Sequence, residues 1–163
     1  MAYGQQERPF TVTLIALFQF AKAWVLVLIA IVVWKAPDAL HGSDVAGTML
    51  FIATHGITAH LWGGNPQAVF LAIFAIYPLA IGIGLWFLRP SARYFLMTIC
   101  GLTLGYTIRG LFINTALSGT FLYNPALSPA LQQPAVFSLL LIDAFILYYL
   151  WMGDGVSKAF GSK

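Results

Sequence analysis

The sequence predicts an all-α polytopic membrane protein: a bundle of four transmembrane helices with a short interfacial helix in its first outer loop. Three observations point there. Of 163 residues, 60% are hydrophobic and 8% charged, whereas ordinary soluble domains carry roughly 25% charged residues. A chain this short leaves much of its surface outside the core, and so much hydrocarbon on that surface requires lipid as the solvent. Second, four apolar stretches approach the roughly 20 residues that a helix needs to cross a bilayer. Third, the basic residues favour one set of connecting segments over the other.

The first apolar stretch, about 11–34, contains LIALFQFAKAWVLVLIAIVVW. It is longer than the roughly 7–15 apolar residues of a secretory signal, and no small-x-small site follows, so it is expected to persist as helix 1. Helix 2 is expected at about 68–87, helix 3 at about 94–117 and helix 4 at about 135–152. Lipid-facing segments must satisfy their own backbone hydrogen bonds, and no period-two alternation suggests a barrel. The turn Leu88-Arg89-Pro90-Ser91 is short enough to fold helices 2 and 3 into an antiparallel hairpin.

The outer loops differ. The first, about 35–67, contains VAGTMLFIATHGI, which is apolar but too short to span. With Ser43 or Asp44 as a cap, about 44–53 reads as a short helix at the outer surface or tucked between the bundle ends. The second loop, SGTFLYNPALSPALQQPA, is uncharged, and Pro125, Pro129 and Pro134 argue against a regular helix within it. Without repeats, low-complexity tracts or a soluble portion, 1–163 reads as one membrane domain.

Arg8, Arg89, Arg93, Lys158 and Lys163 fall on one side of this arrangement, and only Lys35 on the other. That bias predicts a multi-pass protein of the cell (inner) membrane with both termini in the cytoplasm. Trp34, Trp62, Trp86, Tyr94, Tyr148, Tyr149 and Trp151 lie near the expected helix ends and suit an interfacial aromatic belt. The net charge of +3 comes from basic residues scattered along the chain, so nucleic acid is not an expected partner.

Three ionisable residues, Lys22, Arg109 and Asp143, fall inside the expected spans, where such groups turn inward and seek partners. Counted from the outer helix ends, Arg109 and Asp143 lie at similar depth, about 12 Å, which predicts an Arg109–Asp143 ion pair. Lys22 lies near mid-membrane, with Gln19 one turn earlier on the same face. The bland reading of this group is a structural ion pair plus a snorkelling lysine. The sharper one is a polar site or pathway, because two cations against one carboxylate leave room for an anion.

Gly101 and Gly105 form a small-xxx-small pair that would admit another helix closely. Pro78 should bend helix 2, with Gly82 and Gly84 adding local freedom. Cys100 is the sole cysteine, lies in an apolar run and reads as a small buried hydrophobe. His41, His55 and His60 all lie in the first outer loop without a metal-ligand spacing. No metal or ligated cofactor is therefore expected, although bound lipid, or pigment contacted without ligation, stays open. The chain has no GxSxG, HExxH, phosphate-binding Gly-Lys-Ser/Thr loop or GxGxxG pattern. Asp143 is the only acidic residue in the spans, which excludes a paired-carboxylate mechanism there.

The segments ALFQFAKAWVLVLIAI, GIGLWFLRPSARYF and LLLIDAFILYYLW followed by VSKAFG occur in this order. Together they resemble a widespread family of small four-helix bacterial and archaeal integral membrane proteins of unknown function. The resemblance implies the four-helix architecture and no activity. Asp143 departs from it, standing where a neutral polar residue is expected.

The short polar ends leave little room for a catalytic or sensory domain. The functional expectation is thus a non-enzymatic accessory or structural subunit, partnered by the bilayer and by itself or other membrane subunits. The alternative is a small oligomeric transporter or channel for an anionic or amphiphilic solute.

Overall fold

A computed structural model of the chain describes residues 9–36, 44–54, 65–113, 129–153 and 155–161. Every regular element among them is a helix: α1 (Phe10–Lys35), α2 (Asp44–Ala53), α3 (Asn65–Phe74), α4 (Ile76–Trp86), α5 (Pro90–Ile113), α6 (Pro129–Met152) and α7 (Val156–Ala159). Three segments are long and apolar enough to cross a membrane: Phe10–Lys35, Pro66–Trp86 and Pro134–Met152.

Helix α1 shows how lipid changes the usual amphipathic rule. Val12, Ile15, Gln19, Lys22, Leu26, Ile29 and Val33 form one buried stripe at helical spacing. The opposite face exposes Leu14, Leu17, Trp24, Leu28 and Ile31. Both faces are largely hydrocarbon, and the polar side chains at mid-helix, Gln19 and Lys22, are on the inside, the reverse of a soluble helix.

The second span is broken into α3 and α4 at Ala75. The cause lies three residues later. Pro78 has no N–H to offer Phe74, and its ring crowds that carbonyl, so the ladder is interrupted one turn before the proline. Ala75 N–H still reaches the Leu71 carbonyl at 2.9 Å, and Leu79 N–H reaches that of Ala75 at 3.3 Å. The bend expected of Pro78 is thus a break centred on Ala75.

The α4–α5 turn is a Schellman cap. Arg89 N–H donates to the Gly84 carbonyl at 2.8 Å and Leu88 N–H to that of Leu85 at 3.0 Å. Leu88 adopts a left-handed φ of 53°, unfavourable for a residue with a Cβ. Its side chain packs against the core, which offsets that cost. Pro90 then takes the first position of α5, where a missing N–H removes no helical bond.

Helix α5 begins four residues before the expected start at 94, and residues 114–128 lie outside the described structure. Helix α6 corrects the reading of the second outer loop, because it extends back through Pro134 to Pro129. Pro129 occupies the first position, and Pro134 forfeits one bond, to the Ala130 carbonyl, close to the helix start. Prolines there shape the beginning of a helix instead of excluding it.

Two apolar clusters show that the chain alternates direction. One gathers Val12 and Ile15 from the start of α1, Leu85 from the end of α4, Leu96 from early α5, Leu150 from the end of α6, and Val156 and Phe160 around α7. The other joins Leu26, Ile29 and Val33 of α1 with Leu50 of α2 and Ala68 and Leu71 of α3. Helix α2 keeps its expected bounds and packs Leu50 and Ala53 into this second cluster. Thr54 closes it by donating its hydroxyl to the Leu50 carbonyl at 2.7 Å.

Arg93 ties the first end together. It is 6% exposed, and its Nε donates to the Leu150 carbonyl at 2.9 Å. That carbonyl belongs to the last turn of α6 and has no acceptor role left within the helix. The guanidinium also stands 5.8 Å from the Tyr94 ring and 5.7 Å from the Phe160 ring.

Close approach marks two glycines. A Cβ on Gly84 would lie 2.5 Å from that of Ala92, and one on Gly82 would lie 2.8 Å from the Phe20 ring. By contrast, a Cβ at Gly101 or Gly105 would meet no described atom within 4 Å. Gly84→Ala should therefore cost about 1–3 kcal/mol of stability, and Gly105→Ala should lose none, both read by thermal unfolding in detergent. Arg93→Leu should cost about 2 kcal/mol by leaving the Leu150 carbonyl unpaired, and equal Tm values for variant and parent would refute the latch.

Candidate functional site: a buried polar cluster at mid-bundle

Four segments place polar side chains at one level of the bundle. Measured from the end that Arg93 ties, Gln19 lies nine residues into α1 (10 to 19) and Lys22 twelve (10 to 22). Tyr77 lies nine residues before the end of α4 (77 to 86) and Asp143 nine before the end of α6 (143 to 152). Cys100 lies ten residues into α5 (90 to 100). At 1.5 Å per residue these depths cluster at roughly 14–18 Å, near the middle of a hydrocarbon core about 30 Å thick.

Gln19, Asp143 and Cys100 have no exposed surface, and Lys22 is 3% exposed. The charges of Lys22 and Asp143 interact. The Cys100 thiol donates a hydrogen bond to the Asp143 carboxylate, and the Tyr77 hydroxyl lies within the electrostatic reach of both. The Lys22 ammonium stands 5.7 Å from the Phe18 ring centroid. An isolated carboxylate at this depth would be very costly, and a cation with hydrogen-bond donors around it offsets much of that cost. Both polar atoms of the Gln19 amide are buried with no hydrogen-bond partner.

The snorkelling expectation for Lys22 is corrected. The residue is twelve positions from one end of α1 and thirteen from the other, which is roughly 18 Å of helix either way. A lysine stem cannot cover that distance, so the ammonium stays inside and meets a carboxylate. For Asp143 the described neighbours are Lys22, Cys100 and Tyr77. The Arg109 side chain lies outside the described residues, and with it the expected Arg109–Asp143 pair. Its helical position is nine residues beyond Cys100, or roughly 13.5 Å further along the axis. His41, His55 and His60 also lie outside the described residues. Among those described, no three His, Cys, Asp or Glu side chains gather as a metal site.

Of the expected packing residues, Pro78 and Gly82 are buried within α4. Gly82 receives the Phe20 ring of α1, and no described atom would lie within 4 Å of a Cβ on Gly101 or Gly105. Tyr77 and Cys100 were missed as members of the cluster. Counting inward from the well-defined α4–α5 turn would have matched their depth to that of Asp143. The outer helix ends, where the count of Arg109 began, have proline-rich or long connections that blur the boundary.

The thiol donates to a carboxylate, and a lysine balances that carboxylate. Comparison with protein-family models, curated proteins and solved structures finds no match to this chain.

A double-mutant cycle tests the central pair. Lys22→Met and Asp143→Asn should each cost about 3 kcal/mol, because each strands a buried group. The double variant should recover at least half of the summed loss. Strictly additive losses in chemical or thermal unfolding would show that the two charges do not interact.

Proposed function

We propose that the chain is a non-enzymatic integral membrane protein that serves as a structural or accessory subunit, packing laterally against itself or other membrane subunits. One observation carries this reading. The ionisable groups described at mid-bundle turn inward and balance one another, which leaves an outer surface of hydrocarbon and small residues. Such a surface suits lipid and neighbouring helices. The transporter reading rested on a second cation, Arg109, whose side chain lies outside the described residues.

In this proposal α5 is the fourth span. Its 24 residues cover about 36 Å, and α5 packs against both α4 and α6. Its threonines hide their hydroxyls on their own backbone: Thr98 donates to Tyr94, Thr103 to Ile99 and Thr107 to Thr103, at 2.8–2.9 Å. Helix α2, docked by Leu50 and Ala53, then lies at the outer boundary of the bundle. Arg89, Arg93 and Lys158 share the end tied by Arg93, which supports a cytoplasmic placement of that end under the positive-inside rule. The order of motifs shared with the small four-helix family supports the same architecture.

Lateral assembly uses the Gly101–Gly105 face of α5, where no described atom lies within 4 Å of an added Cβ. Solubilised from its native membrane in mild detergent, the protein should run in a fixed stoichiometry by native mass spectrometry. Gly105→Ile should release it as a single chain with an unchanged Tm. A wild-type protein that is always recovered alone, in any mild detergent, would defeat the subunit reading.

A further inference from the structure

Helices α4 and α5 leave between them a lateral groove of about 690 Å³, open to the outside of the bundle and within the size range of ligand pockets. The two helices touch at its floor, where a Cβ on Gly84 would lie 2.5 Å from that of Ala92. Small residues at the contact keep the groove shallow and continuous. Exposed Ile73 and Ile76 wall it on one side and exposed Phe95 on the other. Along most of its length the lining is hydrocarbon.

At the α4–α5 turn the lining changes character. Arg89 and Ser91 themselves line the groove there, and both are exposed. No carboxylate is among the lining residues, so the groove carries the charge of one guanidinium at that mouth. Arg93, the next basic residue, is instead committed to the Leu150 carbonyl. Ser91 also stands in the first turn of α5, the positive end of that helix's dipole. A guanidinium fork beside a hydroxyl donor matches the oxygens of a phosphate group. The hydrocarbon track has a matching length. Tyr77 lines the groove nine residues before the end of α4 (77 to 86), or roughly 14 Å along the axis. That is about half of a 30 Å hydrocarbon core, the depth of one leaflet.

We propose that the α4–α5 groove binds an anionic phospholipid of the leaflet at the Arg89 end. Its phosphate rests on the Arg89 guanidinium and the Ser91 hydroxyl, and one acyl chain lies along the groove as far as Tyr77. A zwitterionic head would bring its own cation beside Arg89, whereas an anionic head leaves the guanidinium as the partner of its phosphate. The site rests on α4 and α5 both spanning the bilayer and is independent of lateral assembly through α5. A protein recovered as a single chain can still bind the lipid, and a fixed-stoichiometry assembly can lack it.

The test uses the purified full-length chain in a non-ionic detergent and three probes: dioleoyl phosphatidylglycerol, dioleoyl phosphatidylcholine with the same tails, and inorganic phosphate. Phosphatidylglycerol should raise Tm saturably, by about 4 °C at ten times its dissociation constant. Phosphatidylcholine should give at most about a quarter of that shift, and inorganic phosphate none. Arg89→Gln should bring the phosphatidylglycerol shift down to the phosphatidylcholine level, with little change in the Tm of the lipid-free protein. Ala80→Trp, which fills the exposed groove with an indole, should abolish the shift while Arg89 stays in place. It keeps the test decisive if Arg89→Gln does not fold. Equal shifts from the two lipids would overturn the anionic head, and an equal shift from inorganic phosphate would overturn the acyl track. No shift from phosphatidylglycerol would remove the site, and a shift that survives either substitution in a folded variant would place the lipid elsewhere.

Discussion

A carboxylate in the middle of a hydrocarbon slab is the constraint on which this bundle turns. Asp143 is fully buried nine residues from the end of α6. Lys22 from α1 and the Cys100 thiol from α5 meet it there, with Tyr77 of α4 nearby. Apolar helices can slide past one another with little change in energy, since lipid and leucine are nearly equivalent neighbours. A polar cluster fed by every long segment removes that freedom. Moving α1 or α6 by a turn would strand a charge, so this pair sets the vertical register of those two helices.

Close backbone packing does the complementary lateral work. Gly82 admits the Phe20 ring and Gly84 admits Ala92, so α4 lies tightly against α1 on one side and the start of α5 on the other. The Schellman turn at Leu88 and the Arg93 bond to Leu150 finish the same end, and Leu85, Leu96 and Leu150 fill the space between. The opposite end is organised differently. There α2 and α3 lean on the second half of α1 through Leu50, Ala68 and Leu71.

Element existence was largely legible in the sequence because lipid imposes a simple rule on length and polarity. α1 matches its expected extent to a residue at each end, and α2 matches its own. Boundaries near prolines were less legible. Pro78 broke its helix a full turn upstream, and Pro129 and Pro134 belonged to α6 instead of the loop before it. The inward turn of Lys22 and Asp143 followed from the cost of charge in lipid, but the identity of their companions did not. Cys100 and Tyr77 look apolar by composition, and their polar atoms gain meaning only once helix depths are aligned from the α4–α5 turn.

The Arg93 contact also has a bearing on biogenesis. Its acceptor, the Leu150 carbonyl, is made 57 residues later in the chain, so the guanidinium emerges long before its partner exists. The bond can close only once α6 is complete and packed against α5. The same arginine thus fastens two helices whose joined groups are synthesised far apart in time.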